Sequence, residues 1–281
     1  MASTPIAALQ VVERELLDLA GALDGPIERD EFKLAVLVLG QRSRTLFRGF
    51  LELQSGSVPS SSRALLRPLI DSNILIRFLA KNPKLHVELW QAEGERNSLA
   101  IIEEHNRLHA ERWGRIPADP ADEERRETVK AARKLAIESG LPGAEKRSAL
   151  LPSTPGQLEL INEHAASEAY TLGYRPMSWD VHSGAPSFLN GLFEPRNDGS
   201  VSYTEQSTAE DLVGVRALGM TTFASTLELV GIHVGLAIAE GARQIRSSYV
   251  PDEIPENQRL GGQAGHAVVG ALPSEYIEPT D

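Results

Sequence analysis

The sequence has no cysteine. That excludes disulfide frameworks, thiolate zinc sites, iron–sulfur clusters and cysteine nucleophiles. Aromatic residues make up only 5% and are not interleaved with basic ones, so a platform that stacks single-stranded bases is not expected. Basic charge is in deficit as well. Against 39 Asp and Glu stand 28 Lys and Arg, giving a formal charge of −11. Bulk nucleic-acid binding depends on neutralising phosphates and is disfavoured by this balance, although a local basic pocket is compatible with it. Uninterrupted apolar runs are lacking too. The most hydrophobic stretch, residues 212–239, contains Arg216, Glu228 and His233, so no membrane span is expected. The opening MASTPIAALQVVERELLDL has no basic n-region and meets Glu13 and Glu15 early, which does not read as a signal peptide. A cytoplasmic location is expected. Also missing are the Gly-x-Ser-x-Gly elbow, the Gly-x4-Gly-Lys-Ser/Thr loop and Gly-x-Gly-x-x-Gly. Serine hydrolase, P-loop and dinucleotide-binding chemistries therefore have no local support, and no cofactor is called for.

What is present is helical periodicity. Of 281 residues, 41% are hydrophobic and 24% charged, an ordinary globular balance with enough apolar residue for a sizeable core. Thr4 caps a first helix with Leu9, Val12, Leu16, Leu19 and Leu23 at helical spacing. Further helices are predicted over about 28–54, 59–81 and 83–113, the last two separated by Asn82-Pro83. Residues 119–139 read as a charged, solvated helix and 141–156 as a Pro/Gly/Ser-punctuated linker. Another helix is predicted over 157–172 and a last long one over 209–249. Between them, about 173–206 reads as an irregular insertion in which Asn197-Asp198-Gly199 signals a small β-hairpin. Thr208 and Asp211 resemble a capping box. Residues 251–281 carry six acids and one Arg among Pro and Gly, the composition of an extended or disordered tail. The predicted fold is an all-α bundle of five to six long helices in one domain, 1–250.

Two predicted helices are apolar nearly all round, which marks them as central. In the third, Arg63, Arg67 and Asp71 fall at i, i+4 and i+8 on one face, and Asn73 and Arg77 form a second i, i+4 pair. In the last, Thr221, Ser225 and Glu228 draw a polar stripe. A charge buried without a partner costs several kcal/mol. Arg67, Asp71 and Glu228 are therefore expected to belong to one buried or cleft-lining network, with a plain intrahelical ion pair or a dimer contact as the alternative. Gly231-x3-Gly235 would let a second backbone approach closely, within the chain or across a homodimer.

The segments RALLRPLID, residues 63–71, and YRPMSWDVH, residues 174–182, together resemble an uncharacterised bacterial family of helical proteins, the domain of unknown function 5677 type. Those proteins carry an Arg-x3-acid helix, usually with Glu where Asp71 stands, and a Tyr-x3-Ser-x3-His segment before an irregular loop. The resemblance covers roughly residues 30–245. It implies an α-helical bundle of no established activity, in which Arg67, Asp71, Tyr174, Ser178 and His182 meet. It also suggests a context in bacterial stress or phage defence. Such a set could bind a ligand: Arg67 an anion, Tyr174 as a donor, and His182 as a group that exchanges a proton near neutral pH. The bland reading has Tyr, Ser and His satisfying backbone groups in a core-facing turn.

Two enzymatic templates remain. The Arg-x(4–6)-His pattern of HEPN-type ribonucleases is met by Arg175 and His182, making a metal-independent RNA-cleaving site the alternative function. Seven histidines in an arginine-rich chain produce such pairs by chance, and Pro176 departs from the usual polar residue. His105 and His109 lie four apart, as a zinc pair would, but Asn106 stands where the zinc-protease motif needs Glu. No metal site is expected. The partner expected is a second copy, with a small molecule or protein left open.

Overall fold

The computed structural model describes residues 5–24, 29–55, 59–171, 193–195, 201–203 and 209–248. It is predominantly helical. In chain order the α-helices are α1 (Pro5–Ala20), α2 (Glu31–Ser55), α3 (Arg63–Lys81), α4 (Pro83–Leu108), α5 (Ala110–Trp113), α6 (Asp122–Glu138), α7 (Thr154–Ile161), α8 (His164–Ala169), α9 (Ala209–Val234) and α10 (Ile238–Ser248). Short 3-10 turns occupy Gly21–Asp24 and Pro59–Ser62. Two three-residue strands, β1 (Phe193–Pro195) and β2 (Val201–Tyr203), pair antiparallel with Phe193 opposite Tyr203. Thr208 of the expected capping box lies outside the described residues.

The chain divides into two compact units: residues 1–28, 36–76 and 163–281, and residues 29–35 with 77–162. In the first, α1 packs on α9 and α10. Its core takes Phe47 and Phe50 from α2, Leu66, Leu69, Ile70 and Ile74 from α3, and Phe223, Leu227 and Val230 from α9, all essentially inaccessible. Phe47 stacks on Phe223 with ring centroids 4.4 Å apart, the offset geometry that adds to simple area burial. The ring of Phe50 lies so close to Gly219 that a Cβ there would sit 2.6 Å from it.

The expected single helix over 209–249 is two helices. α9 stops at Val234, and the N–H groups of Gly235 and Leu236 both donate to the Gly231 carbonyl at 2.9 Å. Gly235 has φ +80, a left-handed conformation that costs glycine nothing. The chain turns there and α10 folds back on α9. Gly231 makes room for it, since a Cβ at 231 would lie 2.5 Å from the Ala239 backbone nitrogen. At Gly231 the close approach is within one chain, with Ala239 filling the space; at Gly235 a Cβ would meet nothing within 4 Å, and that glycine serves the turn.

Among the described residues, Val213–Val234 is long and apolar enough to cross a membrane by length and composition, despite the three polar interruptions noted above. Within the fold 61% of that window is buried, so most of its apolar surface is already spent on protein contacts.

The second unit is built on α4 and α6. Leu89 and Ala92 of α4 meet Ala132 and Ala136 of α6, with Leu141, Ala144 and Leu150 completing the cluster. The last three come from the Pro/Gly/Ser-punctuated stretch, which is thus packed down rather than extended. Two arginines brace it. Arg133 donates to the Ala144, Arg147 and Ser148 carbonyls, and Arg147 to those of Pro142, Ala149 and Leu150. Glu93 of α4 accepts the Leu150 N–H at 2.7 Å. A loop without its own hydrogen-bond ladder is satisfied by side chains instead.

α3 gives way to α4 at Asn82-Pro83, as predicted. Pro83 supplies no N–H to the end of α3, and Asn82 caps α4 through Leu85. The orphaned Phe78 carbonyl is taken by His86, whose Nδ1 lies 2.6 Å from it while the imidazole stacks on the Phe78 ring at 3.9 Å. A carbonyl only accepts, so Nδ1 carries the proton. Burial holds the His86 pKa below its ordinary 6.5, partly offset by the Phe78 carbonyl. Below pH 6.5 the unfolded chain takes up a proton that the fold resists. The stability held by neutral His86 is therefore complete above that pH and is lost as pH falls toward the lowered folded value. A His86→Gln variant is expected to be less stable at pH 7.5, and its unfolding midpoint should vary less between pH 7 and 5 than that of the wild type. An unchanged pH slope would refute this.

Candidate functional site

α3 carries the charged residues singled out by spacing. Its buried side is set by Leu66, Leu69, Ile70 and Ile74. That leaves Arg63, Arg67 and Asp71 along one edge, each half-buried. Helical geometry puts residues four apart on the same face, and the apolar surroundings make charge interactions on this edge stronger than they would be in water.

Asn73 points the other way, into the core. Its Nδ2 donates to Thr226 Oγ1 at 3.0 Å, and that hydroxyl donates on to the Thr222 carbonyl at 2.9 Å. Both side chains are buried, so the relay fixes α3 against α9 within the first unit. Asn73 was visible in the sequence, but its partner was not: Thr226 lies 153 residues away.

On α9, Thr221 is exposed, Ser225 is buried and Glu228 is half-buried. The Glu228 carboxylate is held by Arg246 of α10 at 2.8 Å. A small recess beside this pair is lined by Val12, Leu16, Met220, Thr221, Ala224, Ile245 and Arg246; it is largely apolar. Tyr174, Arg175, Ser178 and His182 lie outside the described residues.

One buried pair escaped the sequence altogether. Glu13 of α1 and Arg216 of α9 form a two-pronged ion pair, Nη2 to Oε2 at 2.7 Å and Nε to Oε1, with 8% and 13% of their side chains exposed. Arg216 had stood out only as an interruption in an apolar helix. That interruption is the available signal: an arginine there needs a carboxylate from another element, and acids along a neighbouring amphipathic helix are the natural source.

His105 and His109 have ring centroids 5.9 Å apart. His105 Nε2 faces the Gly114 carbonyl at 3.1 Å, so that nitrogen donates and offers no lone pair to a metal. Among the described residues no cluster of three or more His, Asp or Glu is arranged to hold a metal ion.

The profile described as Family of unknown function (DUF5677) matches residues 33–200, more than half of the chain. The chain belongs to this family. No curated protein and no solved structure matches it. The DUF5677 match contains α3 with Arg67 and Asp71, and also Tyr174, Ser178 and His182. It excludes α1, α9 and α10. Glu13, Arg216, Glu228 and Arg246 therefore belong to the part of this chain that the DUF5677 profile does not describe. Two groups of polar residues separate on this basis: the α3 edge inside the family region, and the α1, α9 and α10 ion pairs outside it.

Proposed function

We propose that this chain is a binding protein on a helical-bundle scaffold, and that Arg67 and Asp71 on the α3 edge contact an anionic ligand. In this reading Arg67 engages the negative group by charge-assisted hydrogen bonds, and Asp71 orients the guanidinium or takes a donor from the ligand. Tyr174, Ser178 and His182 would complete the pocket from the insertion before α9. The location would be cytoplasmic and the context bacterial stress or phage defence. The observation that carries the reading is the half-buried register of Arg63, Arg67 and Asp71 on an otherwise core-forming helix. Half-burial supports the reading because it leaves these charges desolvated enough for a strong interaction and still within reach of solvent.

The test is thermal unfolding of the full chain titrated with inorganic phosphate, citrate and a panel of mononucleotides. At least one anion is expected to raise the midpoint saturably. Arg67→Gln should abolish that shift, whereas Arg112→Gln on the exposed helix α5 should keep it. An absence of any saturable shift, or an equal shift in Arg67→Gln, would sink the reading. RNA cleavage in EDTA that disappears in His182→Ala would replace it with the ribonuclease alternative.

A further inference from the structure

We propose that α4 is a dimerisation helix: residues 94–108 pair antiparallel with the same residues of a second copy, about a two-fold axis at Ile101. This rests on a face of the second unit and is independent of the anion-binding reading.

Among the described residues, α4 buries one side, and on the other only His105 is engaged by a group beyond the helix, the Gly114 carbonyl. Leu89, Ala92 and Leu99 are buried, and Asn106 clips the chain beyond the helix by exchanging two hydrogen bonds with the Ile116 backbone, at 2.8 and 3.1 Å. The opposite side presents Ile101 and Leu108 to solvent, 68% and 52% exposed. Isolated exposed apolar residues are ordinary, but these fall in a pattern. Gly94, Ser98, Ile101, His105 and Leu108 follow one another at spacings of four, three, four and three, the seam on which two helices pack knobs into holes.

The seam is complementary to itself. In an antiparallel pair centred on Ile101, residue n meets residue 202 − n of the other copy. Ile101 then meets Ile101. Gly94, where a Cβ would meet nothing within 4 Å, receives Leu108: an open hole opposite an exposed knob. Asn97 meets His105, an amide facing an imidazole with which it can hydrogen-bond, and Ser98 meets Glu104. A partner of another kind would require no such symmetry. Isologous interfaces require exactly that the same patch complement itself. Charge agrees. A chain of net charge −11 repels its own copy overall, but the acid that flanks this seam, Glu104, is paired with Arg107 at 2.6 Å. A mid-helix glycine costs about 1 kcal/mol against alanine; close approach of a second helix accounts for its presence on an exposed face.

The absence of cysteine makes the test clean, because any introduced thiol is the only one. Under mild oxidation Ile101→Cys is expected to cross-link into dimers, while Arg107→Cys, on another face of the same helix, should not. Gly94→Cys and Leu108→Cys should cross-link when combined and not singly. In sedimentation, Ile101→Glu should be monomeric with unchanged helical circular dichroism. Gly94→Leu should weaken association by about tenfold or more. Adding Leu108→Gly to it should restore the dimer, since hole and knob are merely exchanged. A wild type that is monomeric at all concentrations would overturn the proposal. So would equal cross-linking at positions 101 and 107, cross-linking by Gly94→Cys alone, or failure of the exchanged pair to recover.

Discussion

Replacing Arg216 with alanine is expected to cost about 3–5 kcal/mol of folding free energy, lowering the unfolding midpoint by about 10 °C. The reason is the carboxylate left behind. Glu13 is 8% exposed and accepts both prongs of the guanidinium; without it, a negative charge stays in a core that cannot hydrate it. The converse change follows from the same physics. Glu13→Leu combined with Arg216→Met removes both charges and should come within about 1 kcal/mol of the wild type. Denaturant unfolding of the two single variants and the double one measures the coupling directly, provided the denaturant slope stays constant. A loss below about 1 kcal/mol for Arg216→Ala would mean that water reaches the pair and that α1 is held to α9 by apolar contacts alone.

The parts of the fold that were legible in the sequence are those set by local chemistry. Apolar residues at helical spacing place α1 to α4, and Asn82-Pro83 marks a boundary because proline cannot continue the hydrogen-bond ladder and asparagine can cap the next helix. Three boundaries were missed: α4 ends at Leu108 and α5 begins at Ala110 inside the predicted 83–113 helix, and the other two share a reason. Asn162, with φ 52, separates α7 from α8, and Gly235, with φ +80, separates α9 from α10. Each sits inside a stretch whose apolar pattern continues on both sides, so periodicity sees one helix where the backbone makes a left-handed turn. At Gly235 the sequence did carry a cue, since glycine is the residue most at ease in that conformation, but five glycines share the region and only packing selects among them.

For the candidate site, the helix face was legible in the sequence and the ion-pair partners of the core charges were not. Spacing alone places Arg63, Arg67 and Asp71 on one edge of α3, where all three are half-buried. It gives no account of which element supplies a counter-charge. Glu228 joins Arg246, and Arg216 joins Glu13 from 203 residues away. Such pairings follow from how helices cross, which no local pattern encodes. Arg133 and Arg147 make the same point in another form. Their partners are backbone carbonyls, and a carbonyl is present at every residue, so nothing in the sequence distinguishes the ones that are used.

The crossing of α9 and α10 yields the second large effect. Gly231→Ala should destabilise the chain by about 1–3 kcal/mol, although alanine is the better helix former by about 1 kcal/mol. A Cβ at 231 would lie 2.5 Å from the Ala239 nitrogen and 2.8 Å from its Cα. Those atoms are backbone and cannot rotate aside, so α10 as a whole must move. Moving it pulls on Glu228, because Arg246 is on α10, and on Leu19 of α1, which packs under Gly241. Gly21→Ala is the control: a Cβ there meets nothing within 4 Å, so its stability should change by only a few tenths of a kcal/mol. Hydrogen exchange separates a local from a global loss. If α10 merely lifts, amides over 238–248 lose protection in Gly231→Ala while those of α2 and α3 keep theirs. Wild-type stability in Gly231→Ala would show that α10 shifts freely along α9, and that the close approach at 231 is not what fixes the two helices together.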